Sequence, residues 1–135
     1  MDRVYQGPIR LPDFAGRDQK YKMFRTRIRE GMQSGPDFAG HYAVIQIGCG
    51  TGCRFAYVGD VATGQVYNFP YGGEDYQEMN LDYSAKSNRI RATWIARDGD
   101  DARCKSHTLV WNGTSFVPPF SSGPGSTPYC TESNG

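Results

Sequence analysis

The chain has 135 residues, of which 38% are hydrophobic and 13% aromatic, enough for one domain with a single core. Its formal net charge of +1 argues against nucleic-acid or acidic-membrane binding driven by bulk electrostatics. No run of about 18 apolar residues occurs, so neither a transmembrane helix nor membrane insertion is expected, and Met1–Tyr5 lacks the apolar centre of a signal peptide.

Seventeen glycines and eight prolines predict many turns, as in a protein of short strands. The segment up to Arg17 is irregular, because Pro8 and Pro12 prevent a helix. From residue 18 to 32, Tyr21, Phe24, Ile28 and Met32 recur at helical spacing, with Lys20, Lys22, Arg25, Arg27 and Arg29 on other faces. Asp18 is the expected N-cap, and Gly31 or Gly35-Pro36 the stop. The basic helix surface reads as a solvated face. Pro12-Asp13-Phe14-Ala15-Gly16 and Pro36-Asp37-Phe38-Ala39-Gly40 repeat each other on either side of this helix, and two copies read as similar turns.

Everything from 41 to 117 reads as antiparallel strands: 41–47, 54–60, 65–69, 81–84, 89–96, 104–111 and 114–117. The connections are a turn at Asp60–Gly64, a long polar loop from Pro70 to Asn80, and a turn at 85–88. An acidic loop at 97–102 and the hairpin signal Asn112-Gly113 complete them. The expected fold class is therefore α+β, mainly β: an antiparallel β-meander, as a curved sheet or small sandwich, with one N-terminal helix packed on it. Val44, Val58, Trp94, Leu109, Trp111 and Phe116 are the expected core, and residues 118–135 form an irregular tail.

Cys49-Gly50-Thr51-Gly52-Cys53 follows a strand and can close a disulfide, hold a metal or present a reactive thiol. Four cysteines in a small Gly-rich chain match a disulfide-bearing exported domain, which points to the periplasm. The favoured pairing is Cys49 with Cys53, a local bridge, and Cys104 with Cys130, which would pin the tail. On the loop-entropy model these bridges stabilise by about 2 and roughly 3–4 kcal/mol.

A Cys2His2 zinc set with His41 and His107 lacks paired spacing on its histidine side and leaves Cys104 and Cys130 unexplained, so no metal is expected. Cysteine catalysis would need an imidazole oriented by a third group, which the sequence does not identify. The glycines at 48–52 do not precede Lys-Ser/Thr or a helix, so they do not read as a phosphate loop. Asp98, Asp100 and Asp101 lack the downstream glutamate of a calcium loop, and no cofactor is expected. Glu74, Asp75 and Glu78 could supply paired carboxylates for glycosidase chemistry, but one flexible loop is a poor platform for fixed separations. The 71–79 loop suits partner binding instead, with Tyr71 and Tyr76 as anchors and Glu74, Asp75 and Glu78 as charge partners for a basic rim.

Three segments in order, Gly35-Pro36-Asp37-Phe38-Ala39-Gly40-His41-Tyr42, Gly48-Cys49-Gly50-Thr51-Gly52-Cys53 and Asp60-Val61-Ala62-Thr63-Gly64-Gln65-Val66-Tyr67, lie within residues 35–67, about a quarter of the chain. They resemble a group of small exported proteins of Gram-negative bacteria, some of them similar to immunity proteins against peptidoglycan amidase effectors of type VI secretion. The resemblance implies a periplasmic, often dimeric inhibitor that occludes an amidase's Cys-His groove and is not itself an enzyme. The cleavable signal sequence expected of that group is not in this chain, and no inhibitory residue carries over by motif.

Overall fold

The unbroken apolar run at the start of the first strand reflects a sheet covered on both faces. In this computed structural model, residues 4–98 and 101–118 are described. Strands β1 (Tyr42–Gly50), β2 (Cys53–Asp60) and β3 (Val66–Asn68) form a three-stranded antiparallel sheet in that order. Strands β4 (Gln77–Asp82), β5 (Arg89–Asp98), β6 (Asp101–Trp111) and β7 (Phe116–Val117) form a four-stranded antiparallel sheet, again in sequence order. The fold is α+β and mainly β, as the turn spacing predicts, with the sandwich rather than the single curved sheet realised.

Because side chains alternate along a strand, β1 and β2 feed two cores. Tyr42, Val44, Ala56 and Val58 meet Met79, Leu81, Ile90, Ala92, Trp94, Leu109 and Trp111 of the second sheet, with Phe116 packed alongside. Ala43, Ile45 and Ile47 face the other way, against Phe14, Tyr21, Ile28 and Met32. All six residues expected in the core from sequence therefore lie in or against the inter-sheet cluster. The order of layers is helix, three-stranded sheet, four-stranded sheet.

The helical segment is shorter and less regular than its periodicity predicts. Gln19–Phe24 is a 3-10 turn, and only α1 (Arg25–Gln33) is α-helical. Asp18 precedes it but makes no side-chain cap. Its buried carboxylate instead accepts the Asp13 N–H at 2.9 Å and the Arg17 guanidinium at 2.9 Å. Without that cap the first turn tightens. Gly31 lies inside the helix, where a Cβ would stand 2.6 Å from Ile45 Cγ1, so its role is close packing. The stop is Gly35-Pro36: Gly35, at φ +95°, donates to Met32 O and proline follows.

The two Pro-Asp-Phe-Ala-Gly copies are both turns. In each, the aspartate side chain takes a backbone N–H, Ala15 by Asp13 and Val44 by Asp37. In each the phenylalanine is buried, but Phe14 enters the helix-side core and Phe38 the inter-sheet core. The Asp60–Gly64 turn also forms as expected, with Gly64 and Thr63 donating to Asp60 O and Ala62 to Asp60 Oδ1. The N-terminal strap crosses this turn through Arg10 N–H to Val61 O.

Three expectations are corrected. The polar loop predicted to reach Asn80 ends at Tyr76, because β4 begins at Gln77 and Met79 is needed in the core. The connection between the strands predicted at 41–47 and 54–60 shrinks to Thr51-Gly52, since β1 and β2 run to Gly50 and from Cys53. Strands also extend to Asp98 and from Asp101 across the predicted acidic loop. Asp100, Cys130 and the tail from residue 119 lie outside the described residues.

Gly64 sits at φ +87°, and a Cβ there would stand 2.6 Å from the Leu11 carbonyl oxygen. Gly64→Ala is expected to destabilise by about 3 kcal/mol, against about 1 for Gly35→Ala, where no atom lies nearby, as urea unfolding would measure. Burial also raises the phenol pKa of Tyr42, Tyr57, Tyr67, Tyr71 and Tyr83 above the ordinary 10.0. The unfolded chain then loses its phenolic protons first, so stability is fully present below pH 10 and falls as the pH climbs beyond it. Urea midpoints measured through that range should decline, and less steeply for Tyr42→Phe.

Candidate functional site: the cystine hairpin and the 71–78 rim

The β1–β2 hairpin ends in a disulfide between Cys49 and Cys53, whose Cα atoms lie 5.0 Å apart. One extra residue on β1 shifts the register between Gly48↔Arg54 and Gly50↔Cys53, so Cys49 occupies a bulge. Thr51-Gly52 closes the turn, Cys53 is buried and Cys49 exposed. Cys104 is also disulfide-bonded.

This hairpin tip is docked against the segment predicted to bind a partner. Glu78 N–H donates to Gly52 O at 2.6 Å, Gly73 N–H to Arg54 O at 2.8 Å, and the Arg54 guanidinium to Met79 O at 3.0 Å. The opening of β2 therefore serves as a bed for residues 72–79. Glu78 is the local irregularity: it has φ +53°, and β4 carries one extra residue between Gln77↔Ile95 and Asn80↔Thr93. The bulge turns Met79 fully inward and leaves Glu78 exposed.

Tyr71 and Tyr76 are half-buried, and their rings stack at 4.9 Å with 14° between planes. Both lean on Trp94, at 5.3 and 4.9 Å, and the Tyr71 hydroxyl meets His107 Nδ1 at 2.9 Å. The tyrosines thus present edges on a braced wall rather than free side chains. Desolvation pushes the Tyr71 phenol above its usual range, so it is the neutral hydroxyl that meets His107. Glu74 and Asp75 are exposed at the tip of this loop, where Gln77 Nε2 donates to Glu74 O.

The structure therefore gathers Tyr71, Glu74, Asp75, Tyr76 and Glu78 on one segment and adds the hairpin tip, Trp94 and His107. Sequence reasoning missed the last two, because Ala92↔His107 and Trp94↔Lys105 are register pairs of β5 and β6 that no local motif encodes. His41 lies elsewhere: its Nδ1 is 2.7 Å from Asp60 Oδ1, beside the turn that Asp60 organises. Its hydrogen bond is thus satisfied structurally, and the Cys49 and Cys53 sulfurs are bonded to one another.

An open groove of about 510 Å³ lies between Lys20-Tyr21, the edge strand β3 and Thr114–Phe116. A smaller one, about 260 Å³, runs along Phe55–Tyr57 and Asn68–Gly72. Both lie along β3.

If φ +53° at Glu78 is a strain tolerated for the bulge, Glu78→Gly should raise stability by up to about 1 kcal/mol while Glu78→Ala brings no gain. Thermal unfolding of the two variants checks this, and an equal gain from both would point to charge instead.

No family model, curated protein or solved structure matches this chain.

Proposed function

We propose that this protein is a binding module: a periplasmic immunity protein that binds a type VI secretion peptidoglycan amidase stoichiometrically and occludes its active-site groove. The observation that carries the binding reading is the braced rim, in which two stacked tyrosines stand beside exposed Glu74, Asp75 and Glu78 on backbone tied to a cystine hairpin. A rim ordered before association loses little entropy on binding, which favours tight inhibitors. Tyrosine edges supply apolar contact, and the carboxylates complement a basic groove margin. The amidase itself is named by the resemblance in segments 35–42, 48–53 and 60–67, and a Cys49–Cys53 bridge is compatible with an oxidising compartment. Self-association as a dimer belongs to the same proposal.

Mixing the protein with a panel of Cys-His peptidoglycan amidases, followed by calorimetry and a cell-lysis rescue assay, tests it. One member should bind at nanomolar affinity. Tyr71→Ala and Tyr76→Ala should each weaken that complex at least about tenfold. Glu74→Lys with Asp75→Lys should slow association and flatten its salt dependence. Absence of any submicromolar amidase partner would sink the proposal.

A cysteine-based redox protein or enzyme is the competing reading, and it requires a titratable low-pKa thiol in the native protein. Mass spectrometry after thiol alkylation should count none without reductant and four with it. A third reading, an envelope domain that binds a small ligand, calls for a deep apolar pocket, whereas the 510 Å³ groove is open and lined by polar and apolar groups alike. Tight binding of a small molecule that is indifferent to Tyr71 and Tyr76 would favour it over the amidase inhibitor.

A further inference from the structure

The net charge of +1 conceals a polarised molecule. Residues 17–30 hold six Lys/Arg (17, 20, 22, 25, 27, 29) and two acids (18, 30), a net of +4, so the rest of the chain carries −3. Within that segment Asp18 is buried and committed to Arg17. Lys20, Lys22, Arg25, Arg27 and Arg29 are exposed, and no salt bridge joins any of them to a carboxylate among the described residues. Arg29 lies over the Phe14 ring and Lys20 Nζ over the Tyr21 ring, while Arg27 donates to Gln46 O and Arg25 to Lys22 O, so four of the five are oriented by neutral groups and their charges stay unneutralised.

In the midst of these cations is Met23, 83% exposed and the sole exposed large hydrophobic side chain among the described residues. It stands in the 3-10 turn Gln19–Phe24, whose three-residue period places Lys20 and Met23 on one face. Tyr21 on the inner side of the turn is buried and Phe24 half-buried, so the turn is fixed on the domain while Met23 projects from it. Nothing within the described fold needs Met23 there, since Ile28 and Met32 supply the contacts of α1 with the sheet.

From this we infer that the surface around Met23 is a peripheral docking site for an anionic phospholipid membrane. A polyanion such as nucleic acid, or an acidic protein patch, could use the cations but has no evident use for an isolated flexible thioether. A phospholipid interface uses both: phosphates meet the lysine and arginine heads, and the methionine enters the boundary between headgroups and acyl chains. The contact is one helical turn wide, so it is reversible and salt-dependent rather than an anchor. It does not depend on the proposed amidase partner.

The test uses the full chain with its disulfides intact and sucrose-loaded vesicles of phosphatidylcholine, with or without about 30% phosphatidylglycerol. The protein should sediment with the anionic vesicles at about 50 mM salt and lose at least tenfold in apparent affinity at about 500 mM. It should ignore pure phosphatidylcholine. Met23→Ser should weaken binding about fivefold or more, and Lys20→Glu with Lys22→Glu should abolish it. In a titration with anionic nanodiscs, the Met23 methyl resonance should broaden while those of fully buried Met32 and Met79 hold still, which reports contact independently of any variant's folding. Equal binding to both vesicle types, or no binding to either, overturns the inference. So does a Met23→Ser protein that binds like wild type, or equally tight and Met23-independent capture of single-stranded oligothymidylate.

Discussion

A three-stranded sheet buried on both faces is the constraint from which the rest of this fold follows. Each inward residue of β1 has to find a partner layer on its own side, so the sheet demands a helix on one face and a second sheet on the other. That demand explains the close approach of α1, where Gly31 lets Ile45 in and Gly59 makes room for the Met32 sulfur. It also explains why the N-terminal strap lies where it does, bonding from Tyr5 to Gly40 and from Arg10 to Val61 and closing the helix-side core at its margin. The repeated Pro-Asp-Phe-Ala-Gly turns serve the same scheme, since one phenylalanine plugs each core.

Two bulges shape the far end of the molecule. The β1 bulge places Cys49 across from Cys53, and the β4 bulge drives Met79 inward and Glu78 outward. The hydrogen bond from Glu78 to Gly52 joins them, so the disulfide holds a hairpin whose tip supports a neighbouring segment in the other sheet. The bridge is therefore a mechanical part of the proposed binding rim without being its chemistry. Trp94 and His107 complete the support from behind.

Charge is distributed as unevenly as the layers. Cations concentrate on the helix layer, whereas Glu74, Asp75, Glu78 and Asp82 lie on β4 and the loop before it. A bulk value near neutrality therefore describes no actual face of the protein. The acidic segment and the basic turn are chemically distinct patches that meet through β2, where Phe55 lies 5.1 Å from the Phe24 ring and backs Gly72.

Much of the local organisation is legible in the chain: the helical spacing of Ile28 and Met32, the Gly35-Pro36 stop, the Asp60–Gly64 and Asn112-Gly113 turns, and the local cysteine pair. Each depends on interactions within a few residues, where period, turn chemistry and loop length act directly. The five rim residues could be nominated because they are contiguous, but how they are held could not. Of β4, Leu81-Asp82 falls in the strand predicted at 81–84, but its first four residues read as loop because polar Gln77, Glu78 and Asn80 outvote one methionine, and only the need to fill the inter-sheet core makes Met79 a strand residue. The loss of Asp18 as a cap, the His41–Asp60 pair and the Tyr71–His107 contact likewise join positions that share no local pattern. The sequence by itself determined periods and turns, because those are short-range. Tertiary structure decided register, layer order and which side chains meet, because those depend on which surfaces must be removed from water together.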